Sequence, residues 1–237
     1  MISRSPAESV VPKEGGVNRE NESTPRWILA DFDDTLAPGD SHAGLLRYIL
    51  RRRIWPLLLL PVIALGGLVY LLPSQLLPSQ RRRGISLIWW AITLGLSPLD
   101  WRKLVRAYCR TRPGLYRQAR ELLQNEGARC WVISASPCAL VRAQLYQQLP
   151  GQLPHRIIGS QMHYRFGGLM PRFYCHGQHK LLPEICALDA ELALSDSLHD
   201  LPLLGLGKEA WLINPTPTRL QKARAHLPHL MVKNWQL

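Results

Sequence analysis

Residues 27–36, WILADFDDTL, constrain this chain more than any other stretch. Trp27, Ile28, Leu29 and Ala30 form a short apolar run that suits a buried strand. Asp31 and Asp33 follow at positions i and i+2, with Asp34 and Thr35 behind them. A strand that ends in carboxylates places them at the edge of a sheet, where ligands bind in open α/β folds. Carboxylates this close repel one another and are costly to desolvate. A divalent cation is the simplest partner that makes the cluster tolerable.

The later chain supplies the rest of such a sheet. Apolar runs at 128–134, 156–160, 190–195 and 209–213 read as further strands, and 164–173, with Gly167-Gly168, reads as a small hairpin. Between them, 101–112, 115–125, 137–149, 179–188 and 216–225 carry helical patterns. Strands alternating with helices predict a mostly parallel sheet with helices on both faces. The 237 residues leave room for one such domain and an insertion.

The insertion carries the charge. The formal net charge is +12, yet residues 41–120 hold 14 Lys and Arg against one acid, Asp100. A region this basic meets either nucleic acid or an anionic membrane surface. Composition favours the membrane over nucleic acid. A helix at 41–53, capped by Asp40 or Ser41, leads into residues 54–73, twenty residues without a charge. As a helix that stretch measures about 30 Å, the thickness of a hydrocarbon core. Arginine triplets at 51–53 and 81–83 bracket it, and a second apolar run occupies 85–96. A single crossing would separate residue 31 from residue 134. The expected contact is therefore re-entrant, paired or interfacial, with Gly66-Gly67 at the apex of a helical hairpin. Trp55, Tyr70, Trp89 and Trp90 are expected at headgroup depth. A soluble cap that buries its apolar face under protein is the alternative. A five-residue repeat, LLPSQ, occupies 71–75 and 76–80. Five scattered cysteines without a CxxC pair read as reduced thiols. Residues 1–24 are polar, lack the apolar run of a signal peptide, and are expected to be a disordered tail.

Four pieces fall at or beyond predicted strand ends: Asp31-Phe32-Asp33-Asp34-Thr35, Ser134 in VISASP, Lys180 ahead of a helix, and Asp196 and Asp200 in LSDSLHDLPLL. Each suits phosphoryl transfer. Asp31 is the candidate nucleophile, forming an acyl phosphate. Asp33 is the candidate acid and base, serving the leaving alkoxide and then the attacking water. Ser134 is placed to hold a phosphoryl oxygen, and Lys180 to neutralise charge. Asp31, Asp196 and the backbone carbonyl of Asp33 form a candidate Mg²⁺ site, with Thr35 and Asp200 in support. Cys175, His176 and His179 lack a fourth ligand and read as ordinary loop residues.

This order of motifs resembles the haloacid dehalogenase superfamily of aspartate-nucleophile phosphatases. The resemblance implies a Rossmann-like parallel sheet with the Ser134 and Asp196 strands flanking the Asp31 strand. It implies a core from 25–40 and 113–237, and a helical cap over 41–112 that inserts into membrane at about 54–96. Within that superfamily GLLRYILRRR, SLIWWAITLGL, IIGSQMHYRFGG and CHGQHK look like the bacterial phosphatidylglycerophosphatase C family. That likeness implies Mg²⁺-dependent hydrolysis of phosphatidylglycerophosphate to phosphatidylglycerol and phosphate. It implies an anionic phospholipid partner at the bacterial inner membrane, with the catalytic domain on the cytoplasmic side. Asp34 stands where a glycine is common in that family. The alternatives are a membrane-anchored phosphatase for a soluble phosphomonoester and a catalytically idle membrane-binding protein. The intact Asp31, Asp33, Ser134, Lys180 and Asp196 argue against the idle protein.

Overall fold

The computed structural model describes residues 26–73 and 79–237. The tail expected at 1–24 and residues 74–78 of the LLPSQ repeat lie outside these residues.

Seven strands form one sheet: β1 (Trp27–Ala30), β2 (Cys130–Pro137), β3 (Arg156–Arg165), β4 (Gly168–Phe173), β5 (Ala190–Ser195), β6 (Glu209–Ile213) and β7 (Met231–Lys233), in the order β4-β3-β2-β1-β5-β6-β7. All pairs are parallel except β3–β4. The chain first builds outward from β1 through β2 and β3, then returns to β5 and builds the other way. The order reverses at β1, so a crevice opens beyond its C-terminal end. As expected, the strands carrying Ser134 and Asp196 flank β1.

Strand alternation sorts the apolar side chains into two cores. Ile28, Ala30, Val132 and Leu194 pack on one face with Phe32, Leu123 and Leu145. Leu29, Ile133, Ala193 and Leu212 pack on the other with Ile185, Leu204 and Ala223. The helices are α1 (Ser41–Arg52), α2 (Leu60–Leu71), α3 (Gln80–Thr93), α4 (Pro98–Cys109), α5 (Arg117–Glu126), α6 (Cys138–Gln148), α7 (Pro183–Cys186), α8 (Leu201–Leu204) and α9 (Pro217–His226). Asp40 caps α1 by accepting the Ala43 N–H at 2.9 Å. Ser97 caps α4, which starts three residues earlier than its apolar pattern suggests because Pro98 suits a first helical turn.

Helices α1–α4 build a third core from Leu45, Ile49, Trp89, Ile92, Trp101 and Val105, joined by Leu140, Leu169 and Tyr174 from beneath. Three hydrogen bonds tie this cap to the β3–β4 hairpin. The Leu169 N–H donates to Thr93 Oγ1 at 2.7 Å, the Gly95 N–H to the Gly167 carbonyl at 2.7 Å, and Trp90 Nε1 to the Phe166 carbonyl at 2.9 Å.

Several expectations are corrected. Gly66-Gly67 is not a hairpin apex: both lie inside α2, where Gly66 lets α2 and α3 approach closely. The 54–73 stretch is a 3₁₀ turn, Trp55–Leu59, followed by α2. Among the described residues no single helix is long and apolar enough to cross a membrane; α1 and Trp55–Leu71 meet at 114°. Trp89 is fully buried, so it is not at headgroup depth. Arginines 81–83, expected to bracket the apolar stretch, form the first turn of α3. The helix expected at 179–188 divides into a 3₁₀ turn, Gly177–Lys180, and α7, because Pro183 lacks the N–H to continue a helix. Lys180 therefore ends a turn and does not open a helix. Ser134 lies within β2, not at its end, just before an irregular register that runs to Pro137.

Candidate active site

The crevice beyond β1 is a pocket of about 560 Å³. Asp31, Asp33, Ser134, Lys180, Asp196 and Asp200 all line it, although they come from four separate stretches of chain. Tight turns after β1 make this convergence possible: the Leu36 and Ala37 N–H groups both donate to the Phe32 carbonyl, at 2.9 and 3.0 Å. Asp34 takes a left-handed φ of 54°, and its carboxylate accepts the Gly39 N–H at 2.6 Å. Aspartate tolerates that conformation better than most residues, and glycine better still.

Lys180 is 3% exposed. Its Nζ donates to Asp31 Oδ1 at 2.6 Å and to Asp200 Oδ2 at 2.7 Å. Burial opposes the ammonium, but Asp31 and Asp200 together raise its pKa above the ordinary value. One ammonium faces two buried carboxylates, with Asp196 nearby. Burial accordingly pushes Asp31 up to about 8, against the pull of Lys180. Asp200 is held in place by the Ser195 hydroxyl, which donates at 2.8 Å. Its Oδ2 thus ties Lys180 to Ser195.

Asp33 is held differently. Its Oδ1 accepts the Ser41 N–H at 2.9 Å, its Oδ2 accepts the Ser136 hydroxyl, and Arg112 lies 3.8 Å from Oδ1. Burial raises its pKa, while the bonds from Ser136 and Ser41 restrain it. Ser134 Oγ accepts the Ser136 N–H at 3.0 Å, which fixes the irregular end of β2 that also orients Asp33. Thr35 Oγ1 accepts the Asp196 N–H at 2.9 Å and sits 3.5 Å from Asp31 Oδ2, stitching β1 to β5. Arg219 of α9 donates at 2.9 Å to both Asp196 Oδ2 and the Asp196 carbonyl. Burial nevertheless pushes Asp196 up to about 6, with Asp34 and Asp200 adding to the shift and Arg219 opposing it.

Sequence patterns alone gave no reason to single out Arg112, Ser136, Ser195 or Arg219. Ser136 and Ser195 sit beside named residues in VISASP and LSDS, which is their only sequence signal. The two arginines look like ordinary helical surface. His42 was missed as well. Its Nε2 accepts from Trp89 Nε1 at 2.7 Å and it bonds the Ala135 backbone, so it joins the cap to the irregular end of β2. Burial lowers its pKa.

The donor set fits a hard divalent cation. Asp31 and Asp196 offer oxygens only, and burial makes both resist ionisation even beside Lys180 and Arg219. Among the described residues no three Asp, Glu, His or Cys side chains converge as a ready cage.

The sequence and the fold have counterparts in known proteins. The profile of haloacid dehalogenase-like hydrolases matches residues 28–205. A protein of unknown function from Bordetella pertussis Tohama I shares the fold with a TM-score of 0.60 at 20% identity, covering 88% of this chain and 99% of that one. A phospho-aspartyl intermediate analogue of phosphoserine phosphatase matches with a TM-score of 0.55 at 14% identity, covering 90% and 95%. A phosphoserine phosphohydrolase-like protein from Francisella tularensis matches with a TM-score of 0.56 at 17% identity, covering 88% and 94%.

Proposed function

Because the chain belongs to the haloacid dehalogenase-like hydrolase family, we propose that it is a Mg²⁺-dependent phosphomonoesterase acting on phosphatidylglycerophosphate at a membrane surface. The observation that carries this reading is the cap side of the pocket. Leu46, Gly67, Tyr70, Leu71, Ile85 and Ile88 line it there, and they offer no carboxylate. Asp40 reaches the pocket too, but its side chain is engaged in capping α1. An ammonium-bearing substrate finds no dedicated counter-charge on that wall, whereas an apolar-tailed one finds matching surface.

The outer side of the cap supports membrane association. Ile54, Leu58, Leu68 and Leu71 are 77%, 83%, 61% and 79% exposed, a density of apolar surface that water disfavours. Arg51 and Arg52 close α1 beside it, suited to lipid phosphates.

In the mechanism, Asp31 Oδ attacks phosphorus and the phosphorus–alkoxide bond breaks. Asp33, favoured in its protonated form by burial, gives its proton to the departing alkoxide. Water then attacks the aspartyl phosphate while the Asp33 carboxylate takes its proton, releasing phosphate and restoring Asp31. Ser134 and Lys180 bind the phosphoryl oxygens. Asp31, Asp196 and the Asp33 carbonyl would hold Mg²⁺, which when bound neutralises charge on the phosphoryl group.

The second reading is a soluble phosphomonoester such as phosphoserine, supported by the fold shared with phosphoserine phosphatases. A phosphate-release panel with Mg²⁺ separates the two. The expected order is phosphatidylglycerophosphate in mixed micelles far ahead of phosphoserine, and the reverse order sinks the lipid reading.

A further inference from the structure

The catalytic pocket continues past its reacting centre. Tyr174, His176 and His199 line it and also line a second cleft of about 980 Å³. Arg81 and Arg82 enter that cleft from α3, His179 from the turn that carries Lys180, and His226 from the end of α9. Among the described residues no Asp or Glu lines it. Nor does any described carboxylate pair with Arg81 or Arg82.

Arg81 and Arg82 leave the cleft with a positive wall that no described carboxylate lining it offsets, and such a wall attracts an anion. The shared wall is ordered: the Tyr174 and His176 rings stack at 5.5 Å, and His176 lies 5.2 Å from His199. Burial, followed by the charges of Arg81, His199 and Lys180, pushes His176 down to about 4. It therefore presents a neutral ring with one N–H. Two guanidinium forks beside imidazole donors are the chemistry that binds a phosphate through several oxygens.

We infer that this cleft is a subsite for a second phosphate carried by the substrate itself, beyond the alcohol from which the first is removed. The class is a phosphomonoester that also bears a phosphodiester or another phosphate. The inference rests on the phosphatase reading of the adjoining pocket and narrows it, because a simple phosphomonoester would leave the cleft unused.

The test is the double variant Arg81→Ala/Arg82→Ala in the full chain. Three substrates are compared: phosphatidylglycerophosphate in mixed micelles, its deacylated water-soluble counterpart, and p-nitrophenyl phosphate. The expected result is a KM about tenfold higher for both two-phosphate substrates with kcat little altered. Their preference over p-nitrophenyl phosphate falls by the same factor, and Arg81→Lys/Arg82→Lys recovers part of it. Equal losses on all three substrates, or none, would overturn the subsite. So would a loss confined to micelles, which would assign the arginines to the bilayer surface. Calorimetric binding of the deacylated substrate to Asp31→Asn protein, with and without the double change, needs no turnover. Affinity about tenfold weaker is expected there, and unchanged affinity refutes the subsite. Absence of phosphate release by the unaltered protein counts against the phosphatase reading alone.

Discussion

Lys180 divides one ammonium between Asp31 and Asp200, in a place water barely reaches. Removing a charge from this cluster and removing the nucleophile are therefore the same substitution with opposite effects. Asp31→Asn keeps the shape and relieves surplus negative charge, so its Tm should equal or exceed that of the unaltered protein. Phosphate release should fall by about three orders of magnitude or more; near-normal turnover in that variant would refute the nucleophile. Ser136→Ala tests the proton partner. It deletes a bond that restrains the Asp33 pKa, so that pKa should rise further. The alkaline limb of kcat/KM should move to higher pH, with a rate loss of about tenfold or more. The acidic motif residues were legible because chemistry needs those types at those spacings. Ser136, Arg112 and Arg219 were not, since a serine two residues on, or an arginine on or just past a helix, is unremarkable until folding brings it to a carboxylate. Asp34 falls between: its departure from glycine was visible, but its left-handed backbone was not.

In the cap, periodicity reported helices well and their company poorly. The extent of α1 followed from sequence, as did β1, β5 and β6, and of its two candidate caps, Asp40 and Ser41, the structure uses Asp40. The partner of α2 did not, because a stretch apolar on every side gives no face to read. Its packing depends instead on Gly66 and Gly84. A Cβ on Gly84 would lie 2.5 Å from both the Gly66 carbonyl oxygen and the Tyr70 nitrogen. Gly84→Ala should force α2 from α3 at a cost of about 1–3 kcal/mol. Thermal denaturation measures it, and an unchanged Tm would mean the two helices can separate freely. Tyr70 lines the catalytic pocket, so the apolar wall moves with α2. Trp89 shows the converse error. Its neighbours suggested an interface, yet it fills the cap core and holds His42, since an apolar run cannot say whether lipid or protein will cover it.

Across the whole molecule the site is a store of protons that a metal ion must displace. Asp31 and Asp196 bind protons more tightly in the folded state than in the unfolded chain. Their contribution to metal-free stability is full below about pH 4, the ordinary aspartate range. It is lost as pH rises through about 6 for Asp196 and about 8 for Asp31. The metal-free Tm should therefore decline from pH 5 to pH 8, while added Mg²⁺ restores it increasingly over the same range and releases protons. Thermal scans with and without Mg²⁺ check this; stabilisation by Mg²⁺ that weakens with rising pH would contradict it. The attachment of α3 to the β3–β4 hairpin bears on timescale. Three hydrogen bonds and the buried Trp89 cluster must break before that side of the cap lifts. Opening on that side therefore takes the microsecond-to-millisecond course of a collective hinge motion, not the picosecond-to-nanosecond course of an exposed side chain.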